Sequence, residues 1–249
     1  MTLDQIVNYV NYICVKENSG STFTPDQINL VFPVANVNMF NRRVQEAQVL
    51  GLQYKIPFSQ ALYEHAALRE FHIPESITFT TGSFDLTTLT NTYAYWLSLI
   101  AHYNGEDRQI ELLPDKIFAD RRTNIITSRK IKKYPIAMTE GNNIKVLPND
   151  ITTAEFTFMK KPATPVYDYY YDANANLIYL AVGASHTLTG GEVGSAGQTS
   201  GTVTSNTVEL EWNSLFHVEF CNEVLAKVGI ALKDEQLRTY AKEVEEKQP

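Results

Sequence analysis

Residues 134–165, YPIAMTEGNNIKVLPNDITTAEFTFMKKPATP, decide the fold. Residues 136–139 are a short extended run. Glu140-Gly141-Asn142-Asn143 is turn chemistry, because Gly and Asn accept positive φ at low steric cost. Residues 144–147 make a second run, closed by Pro148-Asn149-Asp150. Residues 153–159 make a third, with Ala154, Phe156 and Phe158 on one face and Glu155 and Thr157 on the other. That period of two marks a half-buried strand. Pro135, Pro148, Pro162 and Pro165 sit at the ends of the runs, where they remove no ladder hydrogen bond. The stretch reads as a compact antiparallel β-module and a scaffold, with no reactive group at its centre.

The bulk numbers fit a globular protein. The 249 residues are 44% hydrophobic and 20% charged, with a formal net charge of −7. That chain length supports a sizeable core and one or two domains. The acidic balance disfavours tight nucleic-acid binding, which is built from Lys and Arg on phosphates. It leaves room for a surface that DNA slides past. Cys14 and Cys221 are too few and too far apart in sequence for a disulfide framework or a zinc site. Both fall in apolar helical patterns and are expected as small buried hydrophobes. The first residues, MTLDQIVNYVNYIC, lack the basic start and small-residue cleavage site of a signal peptide. No apolar run is long enough to span a bilayer. A soluble protein made in a reducing cytoplasm is the expectation.

Upstream of the module the pattern is helical. Thr2-Leu3-Asp4-Gln5 is a capping box, followed by an apolar stripe through Ile6, Val7, Val10 and Cys14. Thr24-Pro25-Asp26-Gln27 repeats the box with Pro at the first helical position. Pro33 predicts a kink or split in the second helix, and Gly51 its end. A third helix is expected over residues 59–71. The period then changes. Residues 77–80, 93–103 and 109–113 read as strands, the second of them central. Pro114-Asp115 opens a short helix to about Arg122.

Downstream, residues 177–182 and 207–212 read as strands. Between them, residues 185–206 are rich in Gly, Ser and Thr, including Thr189, Gly190, Gly191, Glu192 and Val193. Such a stretch buries little apolar surface and reads as a mobile, protruding hairpin arm, ordered only against a neighbour. Asn213 or Ser214 caps a helix ending at Gly229, and Asp234 caps a last one. The order of elements argues an α+β fold. The expected division is an N-terminal helical part (1–75), a β-rich centre (76–212) and C-terminal helices (213–249) packing with the first, the whole forming one compact unit.

No reacting constellation emerges. His65, His72, His102, His186 and His217 lack metal-ligand spacing, and His65 and His217 are expected at surface or boundary positions. No nucleophile motif, phosphate loop or dinucleotide fingerprint is present. No catalytic, cofactor or metal residue is assigned. Two segments remain as subunit-interface candidates. Arg121, Arg122, Arg129, Lys130, Lys132 and Lys133 crowd one basic segment. A solvated face is the ordinary reading of such a run. The functional reading is a patch for an acidic neighbour or a lining for a DNA path. Tyr167, Tyr169, Tyr170 and Tyr171 are either strand packing or an interface, where Tyr is enriched.

Several segments together resemble a known family: TPDQIN near the start, LPDKIFADRRTN, and above all YPIAMTEGNNIKVLPNDITTAEFTFMKKPATPVYDY. The last is similar to a recurring pattern in virion structural proteins of crAss-like and related short-tailed phages of gut Bacteroidales. There a Pro-hydrophobic strand, an acidic-glycine turn, two further strands, a basic-Pro step and an aromatic follow one another. The resemblance covers most of the chain. The Gly/Ser/Thr arm departs from it. The resemblance implies a non-enzymatic ring subunit of the head-to-tail connector or tail barrel, assembled in the host cytoplasm and resident in the virion. Implied partners are copies of itself in a closed ring of about twelve, the portal or a neighbouring ring, and genomic DNA passing without specific binding. A receptor- or glycan-binding tail component and a cell-wall hydrolase are the alternatives.

Overall fold

In the computed structural model of the chain, the described residues are 1–17, 23–103, 105–124, 131 and 133–231. They form an α+β fold, with helices at both ends and mainly antiparallel sheets between. Two compact units result: Met1–Gln45 with the described residues from Pro162 onward, and Glu46–Lys161. This corrects both the division at residues 75 and 212 and the expectation of one compact unit. The tyrosine-rich strands belong with the terminal helices, because Tyr167 and Tyr169 donate hydrogen bonds to Asp4 and Asp26 at the starts of the first two helices.

In the first unit, both capping boxes form. Gln5 N donates to Thr2 Oγ1 at 3.3 Å, and Thr2 N donates to Gln5 Oε1 at 3.0 Å. They open α1 (Leu3–Glu17). Thr24 and Gln27 make the same exchange ahead of α2 (Pro25–Tyr54). α2 runs on through Pro33 and Gly51, so the helix is neither split at the proline nor ended at the glycine. Phe32 and Ala35 beside the proline are fully buried, and that packing outweighs one lost backbone bond. Gly51 serves close approach instead of capping, since a Cβ there would lie 3.3 Å from the Ala61 methyl.

The second unit opens with α3 (Phe58–Glu64) and a 3-10 turn, Ala66–Phe71, in place of one continuous helix. Strands β1 (His72–Thr78), β2 (Ser83–Asp85), β3 (Tyr93–Tyr103), β4 (Glu106–Gln109) and β5 (Glu111–Leu112) follow. α4 (Asp115–Thr123) then precedes β6 (Ile136–Glu140), β7 (Asn143–Leu147) and β8 (Thr153–Lys160). Gly141, at φ 59°, takes the first turn position between β6 and β7, where only glycine is unstrained. The three strands of residues 134–165 exist, but they do not form one module. β6 and β7 join a sheet of order β2-β7-β6-β5, with β5 and β6 parallel. β8 lies between β1 and β3 in a second sheet of order β1-β8-β3-β4. The chain passes between sheets at Ile110, whose N–H donates to the Leu99 carbonyl at 2.8 Å.

One core joins the two sheets. Phe156 and Phe158 of β8, Leu99 and Ala101 of β3, and Ile144 and Val146 of β7 belong to it. Phe156 is 0% exposed, stacks on Phe158 at 5.2 Å and meets Trp96 at 4.9 Å. Ala154 shares that face, as the alternation requires.

The remaining strands belong to the first unit. β9 (Tyr169–Tyr171) pairs with β10 (Leu177–Tyr179), and β11 (Ser185–Leu188) pairs with β13 (Gly201–Thr204). β12 (Val193–Gly194) returns to β9 on its other edge. Residues 207–212 contribute only a bridge, Val166 to Val208, where a strand is expected. α5 (His217–Ala231) packs with α1, as anticipated for the terminal helices, and runs past Gly229. Phe220 meets Phe32 edge to face at 5.4 Å. The helix expected from Asp234 lies outside the described residues. Cys14 and Cys221 are both buried and free.

Phe156→Ala is expected to lower the unfolding free energy by about 3–5 kcal/mol, the cost of a large core truncation. Thr157→Ala, on the opposite face, is expected to change it by less than about 0.5 kcal/mol. Urea unfolding of the two variants checks the register; equal losses contradict it.

Candidate functional site

The tyrosine run is turned inward. Tyr167 OH donates to Asp4 Oδ1 at 3.0 Å, and Tyr169 OH donates to Asp26 Oδ1 at 3.1 Å. Asp4 and Asp26 lie in the first turns of α1 and α2, where a carboxylate also favours the helix dipole. Asn29 exchanges two further bonds with the Tyr167 backbone, at 2.9 and 2.8 Å. Tyr179 stacks on Tyr167 at 5.0 Å and donates to Glu209 at 2.7 Å. Burial, then the Asp4 charge, raises the Tyr167 phenol above its ordinary value. Burial and the Asp26 bond push Tyr169 up to about 12. Tyr167 and Tyr169 are therefore buried within the unit, which is the packing reading of the run. Tyr170 and Tyr171 are half-buried.

The Gly/Ser/Thr stretch is ordered within the unit, which corrects its reading as an arm that needs a neighbour. Its order comes from polar groups more than from apolar area. Asp168 is buried and acts as the hub. Its Oδ1 accepts from Ser195 Oγ at 2.6 Å and from Tyr169 N at 2.9 Å, and its Oδ2 accepts from Asn206 N at 2.8 Å. Leu188 and Val203 add a small core with Leu180. At the far turn, Gly190 and Gly191 lie between Thr189 and Glu192. Glu192 Oε2 accepts from Thr189 N at 2.6 Å and lies 3.0 Å from His186 Nε2. The Thr189 bond and His186 hold the Glu192 carboxyl below its usual value. His186 stacks on Tyr170 at 4.1 Å, and Val193 pairs with Tyr171.

The basic segment is only partly in view. Arg121 pairs with Glu111 at 2.7 Å, and Arg122 is exposed beside it on α4. The Lys133 ammonium lies 5.5 Å from the Tyr134 ring centroid, and its carbonyl accepts from Arg108. Arg129, Lys130 and Lys132 lie outside the described residues.

A second charged group had no local signal. Glu219 and Glu223 of α5, both buried, receive Arg42 at 2.6 and 3.2 Å; Arg43 also pairs with Glu219. Arg43 lies over the Phe216 ring at 5.5 Å. His217, expected near the surface, is buried: its Nε2–H donates to the Trp212 carbonyl at 2.8 Å and its Nδ1 accepts from the Met1 ammonium at 2.9 Å. Asp85 caps a turn, accepting from Thr87 N at 2.9 Å. Among the described residues, no group of three His, Cys, Asp or Glu side chains is placed to hold a metal ion, and no helix is long and apolar enough to cross a membrane.

Two surface features remain open. The first is a stripe on α2: Leu30, Val34 and Val37 are 74%, 50% and 51% exposed, at spacings of four and three residues. Those spacings put them on one helix face over successive turns. The second is a groove of about 700 Å³ between α3 and the face of the β1-β8-β3-β4 sheet turned away from the shared core. Tyr63, Gln60, His72, Gln109, Glu155 and Thr157 are among its lining residues. No protein-family model matches the sequence, and no curated protein matches it either.

Raised phenol pKa values make the first unit alkali-sensitive. The stability held by protonated Tyr169 is fully present below pH 10.0 and is lost as pH rises toward about 12. An absorbance titration with unfolding followed in parallel should show late phenol ionisation, and Asp4→Asn should return Tyr167 toward the ordinary range. Asp168→Ala strands several donors and is expected to cost about 1–3 kcal/mol per buried unsatisfied group. Limited proteolysis should then cut within residues 189–200 in the variant and spare the parent chain.

Proposed function

We propose that the chain is a structural subunit of a ring in the head-to-tail connector or tail barrel of a short-tailed phage. It assembles with itself in a closed cycle of about twelve copies. The portal or an adjacent ring lies above or below it, and the genome passes through the centre. The observation that supports this reading best is the α2 stripe of Leu30, Val34 and Val37. Water-exposed apolar rows on a rigid helix mark surfaces that are covered in an assembly. The resemblance of residues 134–169 to ring proteins supports it independently. The net charge of −7 suits a conduit wall, since strong phosphate contacts would retain DNA. Arg122 and Lys133, both exposed, offer a second, polar surface for an acidic neighbour, and a head-to-tail ring needs two different surfaces.

Negative-stain imaging and native mass measurement of the purified chain test the reading. The expected result is a closed ring. Val34→Asp should leave the unfolding midpoint within the small range of surface substitutions and abolish the ring, because burying an unpaired carboxylate at a contact is costly. A ring that survives Val34→Asp and Leu30→Asp together would remove the support drawn from this stripe. A trimer would favour the receptor-binding alternative.

A further inference from the structure

We infer that the groove between α3 and the outer face of the four-stranded sheet binds a short neutral saccharide. The sheet register builds its floor. Pro74 of β1 pairs with Thr157 of β8, which pairs with Ser98 of β3. In the next row Glu155 pairs with Ile100, which pairs with Gln109 of β4. These residues share one face, opposite Phe156 and Phe158. The wall is α3, fixed on β3 by an edge-to-face contact of Phe58 with Tyr95 at 5.8 Å. From it Ser59, Gln60 and Tyr63 line the groove.

The chemistry of the lining selects the ligand. Tyr63 is 58% exposed and stacks on His72 at 5.3 Å and 14°. One ring face is thus held by a neighbour and the other is left for a ligand. A flat, immobilised aromatic is the surface on which the C–H face of a sugar ring packs, while water leaves both. Around it stand planar amide and carboxylate groups, Gln60, Gln109 and Glu155, with the hydroxyls of Ser98 and Thr157. Such groups donate to and accept from vicinal hydroxyls. Gln60 is itself braced by a bond to Glu64 at 2.8 Å.

The same lining argues against other ligands. Among the described residues that line it there is no Lys or Arg, so phosphates and sulfates find no counter-charge in the lining. Glu155 repels anions, and burial lowers the His72 pKa, which keeps that ring neutral. A fully apolar ligand would strip water from five or more polar groups without replacing it. An extended peptide that adds to a sheet needs a strand edge, whereas this groove lies over the sheet face. The volume of about 700 Å³ falls within the usual range for small-molecule sites.

Saturation-transfer NMR on the intact chain tests the site. The probes are the glucose, mannose, cellobiose-type and N-acetylglucosamine oligomers of four sugars, plus a uronic-acid oligomer. At least one neutral oligomer should receive saturation at its C–H protons. Tyr63→Ala should weaken it by about tenfold or more. Tyr63→Phe should retain it, and Tyr134→Ala, equally exposed at 58% but outside the groove, should not alter it. A thermal scan confirms that each variant is folded. No transfer to any neutral oligomer, binding that survives Tyr63→Ala, or equal binding of the uronic-acid oligomer overturns the inference. The readout follows saturation of the ligand and not the oligomeric state, so its outcome is separate from that of the ring test.

Discussion

Two phenol-to-carboxylate hydrogen bonds tie the tyrosine segment of the first unit to its first two helices. Tyr167 and Tyr169 reach Asp4 and Asp26, each at the start of a helix. Each carboxylate serves twice: it complements the helix dipole and it accepts from a buried phenol. The strand that carries the tyrosines is therefore positioned by the two helix origins. The Asp168 hub follows from the same placement, because it lies between those tyrosines in sequence. Through Ser195 and Asn206 it then fixes the Gly/Ser/Thr stretch. A polar skeleton replaces the apolar area that this composition cannot supply.

What the sequence makes legible is what short-range physics decides. Thr2 with Gln5 and Thr24 with Gln27 close within one turn, so the helix starts are visible. The alternation of Ala154, Phe156 and Phe158 fixes a facing, and β3 stands where its aromatic run predicts. Long-range choices are not visible. Nothing local tells β8 to leave β7 and insert between β1 and β3. Pro33 and Gly51 carry helix-ending propensities that tertiary packing overrides. Arg42, Arg43, Glu219 and Glu223 lie on separate helices far apart in sequence, and only the fold makes them a group. For the tyrosines the sequence left packing and interface open, and the geometry places Tyr167 and Tyr169 in packing.

The candidate site shows the same limit. Its polar face is readable from Glu155 and Thr157 alternating with the phenylalanines. The groove itself needs α3 laid across three strands, and that depends on Gly51 letting Ala61 come close to α2. Tyr63 and His72 become neighbours only because a 3-10 turn, in place of a continuing helix, reverses the chain between them. A sequence reading that continues the helix to Phe71 hides the pair.

The first unit is written in two pieces, with Glu46–Lys161 between them. During synthesis the second unit is contiguous and complete once its own last strand emerges. The first is not. Leu3, Ile6, Val10 and Phe32 must wait for Phe220 and its neighbours before their core can close. At about 5–20 residues per second, that interval is on the order of ten seconds or more. For that time an apolar helix face stands without its partner, and a binder of nascent chains has a defined window in which to cover it.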